Sequence, residues 1–561
     1  MREIDVSVLI VGAGPVGLAA GILLAQQGID AWIVERRDGP HQAPQAHVVN
    51  PRTLEICRAL GVDMDAIRAR ATPAADGGRV RWVTTLAGHE LGSLPYERQD
   101  DGVLDVTPTP IANLSQHLFE PILLERLRRE SRARLHRLHQ WEGCEPDEGG
   151  VTSTVRDLAR DVTYSIRSKY LLACDGAGSR VRARHGIELM GPERIQSFVM
   201  IHFEAALRPL VAERPAILYW VLDPTATGAF VAHEIDRTWV FMHPYDPDAE
   251  TLADFGEARC RAIVWRALGR DDVPLEVKTV STWTMTAQVA ERYRSGRVFL
   301  LGDAAHRFPP SGGLGLNTGV QDAHNLVWKI RAVEEGRAAP ALLDTYEAER
   351  RPVAERNAEQ SFTNAVKLMD VVEAAGLNGE PKHDGERVAA LRAPGPDRER
   401  LAASLASQQD HFDMLALQIG FSYERGAVVP DGSARPMGAS PVRDFVPTTR
   451  PGARLPHAWL ERDGRRISSL DLLGYDRFTL VSDASAPAWS EAVAALGHAW
   501  LTSVAIGGDI RDPDGHWERV REIERDGAIL VRPDGHVAWR SRSSVADPRA
   551  AIRQALERVL G

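Results

Sequence analysis

Cysteine is scarce in this chain. The few cysteines lie far apart and include no C-x-x-C pair. Zinc sites and disulfide frameworks need cysteines at short, recurring spacings. The sequence therefore predicts neither of them, and we expect no metal site. The four cysteines are Cys57, Cys144, Cys174 and Cys260.

Long apolar runs are missing as well. No uninterrupted apolar stretch approaches the roughly 20 residues that are needed to cross a bilayer. The first predicted strand begins almost at the N-terminus, which leaves no room for a signal peptide. We therefore expect a cytoplasmic protein without a membrane partner.

An excess of basic residues is also lacking. The 561 residues include 67 Lys and Arg against 77 Asp and Glu, for a net charge of -10. Nucleic-acid-binding domains concentrate positive charge on one face, so we expect no nucleic-acid partner. The length allows two to four domains with a large core.

Glycine, by contrast, forms a pattern near the start of the chain. Residues 6–18 read VSVLIVGAGPVGL. The β-branched run before the first glycine is typical of a strand buried on both faces of a parallel sheet. The glycines fill the pattern G-x-G-x-x-G, which allows a tight turn, close approach of a pyrophosphate and close packing of the following helix. They are Gly12, Gly14 and Gly17.

The residues around this turn complete a dinucleotide-binding unit. Pro15 suits the first turn of the helix, whose free N–H groups attract phosphate. A second predicted strand, residues 30–34, ends at Glu35, and a carboxylate there can accept hydrogen bonds from both hydroxyls of a ribose. The unit predicts dinucleotide binding but leaves the dinucleotide open.

Two later motifs decide between the dinucleotides. Asp175 follows a predicted strand in the segment CDGAGSRVR, although an Asp-Gly pair can also be an ordinary turn. Residues 297–326 read RVFLLGDAAHRFPPSGGLGLNTGVQDAHNL, which places Asp303 at the carboxyl edge of a sheet, where it could accept hydrogen bonds from a polyol. The glycine-rich loop and helix start that follow suit a ring that becomes negative. A reduced flavin does so and a nicotinamide does not, so the motifs favour FAD over NAD.

The three motifs resemble the fingerprints of the class A FAD-dependent aromatic hydroxylases, the family of para-hydroxybenzoate hydroxylase, over residues 4–360. The segments NPRTLEICRALG, QQDHFDMLALQIGFSYERGAVVPDGS and PTTRPGARLPHAWL resemble the phenol-type branch, particularly the 2,4-dichlorophenol hydroxylases. In that branch a thioredoxin-like domain follows the catalytic part, and AILVRPDGHVAWR resembles its final strands.

The resemblance implies an α/β fold of three domains. We expect a doubly wound FAD-binding domain from residues 1–75, 102–187 and 281–400, and an antiparallel substrate domain from residues 76–101 and 188–280. Residues 430–561 are expected to form the thioredoxin-like domain. No cysteine follows Cys260, so this domain cannot perform dithiol chemistry, and we expect a structural or dimer-stabilising role in a homodimer.

The resemblance also implies the reaction. NADPH or NADH reduces the flavin, O2 forms a C4a-hydroperoxyflavin, and its distal oxygen attacks a phenolic or related aromatic ring. The chemistry requires a dry pocket and a base that makes the phenol more phenolate-like. The alternatives are a tailoring hydroxylase of a polyketide or antibiotic aromatic ring, and a flavoprotein that does not hydroxylate. A flavin-dependent halogenase is disfavoured because the W-x-W-x-I-P signature is absent.

The family's cofactor contacts can be carried over to this sequence. The ADP part is expected at Gly12, Gly14, Pro15, Gly17, Glu35 and Arg36. The rest of the dinucleotide is expected at Gln116, Asp175 and Asp303, and the isoalloxazine at Pro310, Gly313, Gly315, Leu316 and Asn317. Many relatives carry a basic residue at Gln45; here a charged contact to flavin or nicotinamide is lost, for which Arg36, Arg37 or Arg52 could substitute.

Three histidines and one tyrosine are the candidates for the substrate pocket. His47 titrates in the working range and precedes a predicted helix, so we expect it to be the base or hydrogen-bond partner of the substrate hydroxyl. The alternative is a histidine that packs on the flavin or satisfies a loop carbonyl. Tyr219, His233 and His243 lie on or beside predicted strands, and about half of strand positions face away from any one side. His306 is expected to be structural.

Overall fold

The computed structural model describes residues 3–40, 43–377 and 381–561. Its first part contains β1 (Glu3–Val11), α1 (Pro15–Gln26), β2 (Ala31–Glu35), β3 (Val48–Val49), α2 (Pro51–Ala59), α3 (Met64–Arg70), α4 (Ala74–Gly77), β4 (Arg79–Val83), β5 (Glu90–Pro95), β6 (Ala112–Asn113), α5 (Gln116–Arg128), β7 (Ala133–Arg137), β8 (His139–Pro146), β9 (Val151–Asp157), β10 (Val162–Ala173) and α6 (Arg180–Arg184).

The middle of the chain contains β11 (Leu189–Met190), β12 (Gln196–Glu204), α7 (Arg208–Val211), β13 (Leu218–Val221), β14 (Gly228–Glu234), β15 (Thr238–Tyr245), α8 (Glu257–Leu268), β16 (Glu276–Met285), β17 (Gln288–Ala290), β18 (Arg294–Ser295), β19 (Val298–Leu300), β20 (His306–Arg307), α9 (Leu314–Glu334) and α10 (Thr345–Ala374).

The last part contains α11 (Pro381–Ala390), α12 (Pro396–Ala406), α13 (Gln409–Phe412), α14 (Leu415–Ile419), β21 (Trp459–Arg462), β22 (Arg465–Ser468), β23 (Phe478–Asp483), α15 (Pro487–Leu496), β24 (Leu501–Ile506), β25 (Ile510–Arg511), α16 (His516–Val520), β26 (Ala528–Val531), β27 (Val537–Ser541) and α17 (Pro548–Leu560).

The first sheet is the dinucleotide-binding one. Its strands run in the order β18-β19-β10-β1-β2-β7, and β19, β10, β1, β2 and β7 are parallel. The apolar run of β1 is buried because α1, α5 and α9 pack together over this part of the core. Since parallel strands end at one edge, the carboxyl ends of β1, β2, β10 and β19 meet, as the three sequence motifs require.

The second sheet has the order β16-β12-β15-β14-β13-β4-β5 and is antiparallel except for the pair β13 and β4. Strands from two separate stretches of sequence therefore build one sheet, and β16 continues to Met285. One face packs on α8. The other face turns toward the first sheet, with α10, α12 and α13 at the end that carries β4 and β5.

The third sheet has the order β22-β21-β25-β24-β23-β26-β27. Its centre is a parallel unit, β23-α15-β24, followed by the antiparallel hairpin β26–β27 and α17. This is the order of a thioredoxin-like fold, as expected. We call residues 447–561 the C-terminal domain.

All four cysteines are free. In the part of the chain that the structure describes, no helix is both long and apolar enough to cross a membrane. Within the same ranges no group of three or more His, Cys, Asp or Glu side chains is arranged to hold a metal ion.

Candidate active site

The glycine turn after β1 leaves its backbone open on one side. Gly12 has a φ of 102°, and a Cβ atom there would overlap the carbonyl oxygen of Cys174 on the neighbouring strand. A Cβ atom on Gly17 would overlap the carbonyl oxygen of Gly12, so both positions require glycine. Gly14 has no atom within 4 Å of its Cβ position, and α1 has no side-chain cap. The free N–H groups beside Pro15 therefore face open space that fits a pyrophosphate.

Glu35 is held in place beside this turn. Its carboxylate accepts hydrogen bonds from the backbone N–H of Ala13 at 2.9 Å and from that of Arg37 at 3.0 Å. Burial by itself would raise the pKa of Glu35, but these N–H groups and the Arg37 guanidinium lower it below its ordinary value. An ionised carboxylate at this position fits the ribose role.

The structure separates the three arginines that could replace a basic residue at Gln45. Arg37 pairs with Glu35 at 3.2 Å, and Arg52 is buried and pairs with Glu55 at 3.1 Å. Arg36 is exposed, as is Gln45, and neither makes a hydrogen bond to any residue that the structure describes. Arg36 alone is therefore free to contact a ligand phosphate.

The two motif aspartates differ in what they contact. Asp175 accepts hydrogen bonds from the Ser179 hydroxyl at 2.6 Å and from the Val181 N–H at 3.2 Å, so it organises the turn that follows β10. Arg182 ties this turn to the next motif by donating to the carbonyl of Ala304 at 3.0 Å. Asp303 is exposed and makes no hydrogen bond within the described ranges. It is therefore the aspartate whose carboxylate is available to a polyol.

The loop before α9 allows other groups to come close to its backbone. Gly312 and Gly313 have φ values of 110° and 60°, and Cβ atoms there would overlap the side chains of Met414 and Val48. Gly313 caps α9 without a side-chain hydrogen bond, so the first N–H groups of this helix are free. Pro310 is exposed and Gly315 and Leu316 are partly exposed beside this helix start. This geometry suits a ring that gains negative charge.

Asn317 does not point its side chain to a ligand. Its amide donates to the carbonyl of Val48 at 2.9 Å and accepts from the N–H of Asn50 at 2.9 Å. The side chain thus ties the start of α9 to residues 48–50. Any contact of Asn317 with a cofactor must come from its backbone.

His306 belongs to a buried polar network. It is fully buried, and its Nε2 lies 2.9 Å from Oδ2 of Asp322. Asp322 also accepts from Arg350 at 2.8 Å and from the Gly302 N–H at 3.1 Å. This network holds the Gly-Asp motif against α9.

A short strand pair places His47. Val48 pairs with Asn113, and the carbonyl of His47 accepts from the N–H of Leu114 at 2.7 Å. The His47 ring lies 5.8 Å from that of His233, nearly perpendicular to it, and 6.2 Å from that of Tyr96. Residues from three distant parts of the chain therefore meet between the first and second sheets.

Gln116 follows this strand pair at the start of α5. Its N–H donates to the carbonyl of Ala46 at 2.7 Å, and its side chain donates to Glu120 at 2.7 Å. Its side chain therefore serves the first turn of α5 in this structure.

Burial keeps both histidines neutral. Desolvation lowers the pKa of His47 to about 4, opposed in part by the Asn113 amide. Desolvation likewise holds the pKa of His233 well below its ordinary value, and its Nδ1 lies 2.6 Å from the Ser115 hydroxyl. Nδ1 of His47 is buried and has no hydrogen-bond partner among the described residues. His47 therefore has an unused hydrogen-bonding atom.

The other two pocket candidates lie on the far face of the second sheet, which is the face that packs on α8. Tyr219 is buried 6.1 Å from the Trp239 ring, and its hydroxyl donates to the carbonyl of Arg214 at 3.0 Å. His243 stacks on Phe241 at 6.2 Å, on the side that packs against α8. Neither side chain can reach the space beside His47, so only His233 of the three candidates lies there.

Two methionines that the sequence pattern did not identify share the near face with His233. Met200 and Met242 pair across β12 and β15, Trp220 lies on β13, and each is partly exposed. We call the surface formed by Met200, Trp220, His233 and Met242 the open face. The alternation of side chains along each strand predicts that these residues share one face of the sheet. Only the packing of α8 shows that this face is the one left uncovered.

Comparisons with known proteins agree with this geometry. The family described as FAD binding domain matches residues 5–361, and the family described as Aromatic-ring hydroxylase, C-terminal, matches residues 448–561. The chain is 35% identical to a 2,4-dichlorophenol 6-monooxygenase of Delftia acidovorans, over 99% of this chain and 98% of that protein.

Two further proteins match over the full length of the chain. A tetracenomycin B2 monooxygenase-dioxygenase of Streptomyces olivaceus is 35% identical over 100% of this chain and 99% of its own. The structure of the flavin-dependent monooxygenase PieE in complex with FAD and substrate has a TM-score of 0.93, with 38% identity and 99% of both chains covered. The glycine turn, the Gly-Asp motif and these full-length matches together show that the chain belongs to the FAD-dependent aromatic-ring hydroxylases and is an FAD- and NAD(P)H-dependent aromatic monooxygenase.

Proposed function

We propose that this protein hydroxylates a phenolic ring bound between His47 and the open face of the second sheet. The observation that carries the proposal is the buried, unused Nδ1 of His47, whose ring lies 5.8 Å from that of His233 on the partly exposed open face. A phenol fits this arrangement because it has one polar group on an otherwise apolar ring.

FAD would be held along the carboxyl edge of the first sheet. The N–H groups of Gly14 and Val16, on either side of Pro15, suit its pyrophosphate, Glu35 its adenosine ribose, and Asp303 its ribityl hydroxyls. The start of α9, at Gly315 and Leu316, suits the isoalloxazine, and Gln116 and Asp175 act through the backbone that they order. Once reduced by NAD(P)H, FAD supplies the activation of O2 for oxygen transfer to the ring.

His47 orients and polarises the substrate. A neutral imidazole nitrogen can accept a hydrogen bond from a phenol O–H and so increase electron density on the aromatic ring. The Ser115 hydroxyl fixes the neighbouring His233 ring at 2.6 Å. The pair therefore presents a fixed polar corner to the substrate hydroxyl.

The open face excludes water from the reacting ring. Met200, Trp220 and Met242 offer no charged group, and a dry site strengthens the hydrogen bond to the phenol oxygen. The same dryness limits loss of activated oxygen as peroxide. We further propose that Arg36 contacts the pyridine nucleotide, since its guanidinium is exposed beside the cofactor edge.

A multi-ring aromatic is the second candidate substrate. It is supported by the tetracenomycin B2 monooxygenase-dioxygenase, which is as similar to this chain as the 2,4-dichlorophenol 6-monooxygenase is, at 35% identity. The homodimer stays a prediction.

A substrate panel tests the proposal. FAD-loaded protein is mixed with NADPH or NADH and with single-ring phenols or multi-ring hydroxyquinones, and NAD(P)H oxidation is followed together with the product mass. We expect a phenolic compound to stimulate oxidation and to gain one oxygen atom. Stimulation by no compound of either class would contradict the proposal.

A further inference from the structure

Helix α2 connects the catalytic histidine segment to the cofactor loop. Asn50 caps α2 by accepting from the N–H of Thr53 at 3.0 Å, and its own N–H donates to the side chain of Asn317 at 2.9 Å. His47 lies three residues before this cap. The position of α2 therefore fixes the position of His47 relative to the start of α9.

The other side of α2 carries a buried carboxylate with four donors. Glu55 accepts from Arg454 at 2.6 and 2.9 Å, from Arg52 at 3.1 Å and from the Thr107 hydroxyl at 2.7 Å. All four side chains are buried. Burial alone would raise the pKa of Glu55, but Arg454 and then Arg52 hold it at about 2, so the carboxylate is ionised.

The C-terminal domain supplies the key contacts of this cluster. Arg454 belongs to it, and the carbonyl of Asp534 accepts from Arg52 at 2.6 Å. The same domain also fixes the segment that follows Tyr96, because Trp459 donates to the carbonyl of Leu104 at 2.9 Å. One domain without redox cysteines thus holds two segments that border the active site.

Stability alone is a poor reason for this arrangement. Well-packed apolar side chains often stabilise a protein as much as a buried ion pair does, because desolvation offsets the Coulombic gain. A bidentate Arg–carboxylate pair does, however, fix distance and angle between two elements. The cluster therefore fixes the distance and angle between α2 and the C-terminal domain.

We propose that Glu55 is a positioning residue through which the C-terminal domain sets the location of His47 and of the cofactor loop. This inference rests on the proposed role of His47. It assigns to the C-terminal domain a part in catalysis that needs neither cysteines nor contact with the substrate.

The chain offers a matched control between the same two elements. Arg58 on α2 pairs with Asp471 of the C-terminal domain at 2.7 and 2.8 Å, but this pair is solvent-exposed and lies farther from Asn50 along the helix. Asp471→Asn therefore removes a domain–helix ion pair without touching the Glu55 cluster.

The test compares full-length, FAD-loaded Glu55→Gln, Arg454→Lys and Asp471→Asn with the wild type. Three quantities are measured: the visible circular dichroism of bound FAD, the FAD dissociation constant, and the share of NAD(P)H oxidation that yields hydroxylated 2,4-dichlorophenol rather than peroxide. We expect Glu55→Gln to alter the dichroism and to lower the product share severalfold. Arg454→Lys keeps the charge but loses the two-pronged contact, so it should change both in the same direction, and Asp471→Asn should match the wild type.

The inference is overturned if Glu55→Gln and Arg454→Lys keep the wild-type dichroism and product share, or if Asp471→Asn changes them equally. If Glu55→Gln does not fold, Arg454→Lys decides. If the wild type hydroxylates no phenol, the proposed function fails instead, and the dichroism and FAD affinity still decide whether the cluster positions the cofactor loop.

Discussion

Replacing His47 by leucine tests how the substrate is activated. Leu removes the acceptor nitrogen while keeping an apolar side chain of similar reach. The pKa of His47 is about 4, whereas that of a simple phenol is about 10, and the gap of about six units corresponds to about 8 kcal/mol against complete proton transfer. We therefore expect His47 to act by a hydrogen bond and not by holding the proton.

The size of the loss follows from this reasoning. A hydrogen bond to a partly charged oxygen contributes about 1.5–3 kcal/mol, so the hydroxylation rate should fall by about 10- to 150-fold. NAD(P)H oxidation should continue and release peroxide. The deficit should shrink as pH rises toward the pKa of the phenol, because the phenolate no longer needs the acceptor.

The assay measures product and peroxide in parallel between neutral and alkaline pH, with unsubstituted phenol as the probe. His243→Leu is the matched control, since this histidine lies on the far face of the same sheet and should leave both rates unchanged. A loss above about 10⁴-fold would indicate full base catalysis instead. Unchanged coupling in His47→Leu, or an equal loss in His243→Leu, would refute the placement of the substrate.

Three further predictions concern the fold and the cofactor. Gly17→Ala places a methyl group onto the carbonyl oxygen of Gly12, and because such overpacking costs about 1–3 kcal/mol, FAD binding followed by flavin fluorescence should weaken about 5- to 150-fold. Burial lowers the pKa of His411 and His457 to about 3, so the free energy of unfolding should be largest above pH 6.5. It should fall as the pH drops from 6.5 toward 3, by up to about 1.4 kcal/mol per pH unit for each histidine. Urea midpoints measured across this pH range check the prediction. Glu349→Gln leaves buried cations without their carboxylate and should lower the free energy of unfolding by about 3–5 kcal/mol in urea titrations.

Each of these predictions has a contrary outcome. Gly28→Ala, at a glycine turn away from the cofactor edge, is the control for Gly17→Ala, and equal FAD affinities in the two variants would contradict the role of the turn. Flat stability between pH 6.5 and 4 would contradict the buried neutral histidines. A Glu349→Gln variant as stable as the wild type would show that the pairs of Glu349 with Lys329 on α9 and with Arg532 of the C-terminal domain, each 2.7 Å long, do not stabilise the fold.

The cofactor edge could be read from the sequence because its signals are local. The strand β1, the turn at Gly12 and the start of α1 follow one another directly, and Glu35 ends the next strand. Each residue type there meets a requirement of the local backbone, and residues close together in the sequence are enough to predict that requirement. Asn317 shows the limit, since its side chain serves Val48 and Asn50 and only the folded structure brings those residues to it.

The substrate side could be predicted only in part, because its contacts are distant in sequence. His47 reaches His233 through the two-residue pairing of β3 and β6, which is too short to give a sequence pattern. Tyr219 alternates correctly with its neighbours, but the covered face is decided by α8, some 40 residues later in the chain. No periodicity contains that information.

The buried charges between the domains were beyond sequence reasoning for the same reason. Lys329 lies in the middle of α9, where a lysine usually marks an exposed face. It is fully buried because Glu349 and the C-terminal domain enclose it, 2.7 Å from the carboxylate. Its partner Glu349 lies on α10 and is itself paired with Arg532 of the C-terminal domain.

The origin of the oxygen atom in the product tests aromatic hydroxylation most directly. FAD-loaded protein is supplied with NADPH or NADH, a responsive phenol and isotopically labelled O2, and the product is analysed by mass spectrometry. We expect a hydroxylated phenol that carries one labelled oxygen atom, formed in step with NAD(P)H oxidation. Oxidation that yields only peroxide with every phenol and hydroxyquinone, or a product whose new oxygen comes from water, would contradict it.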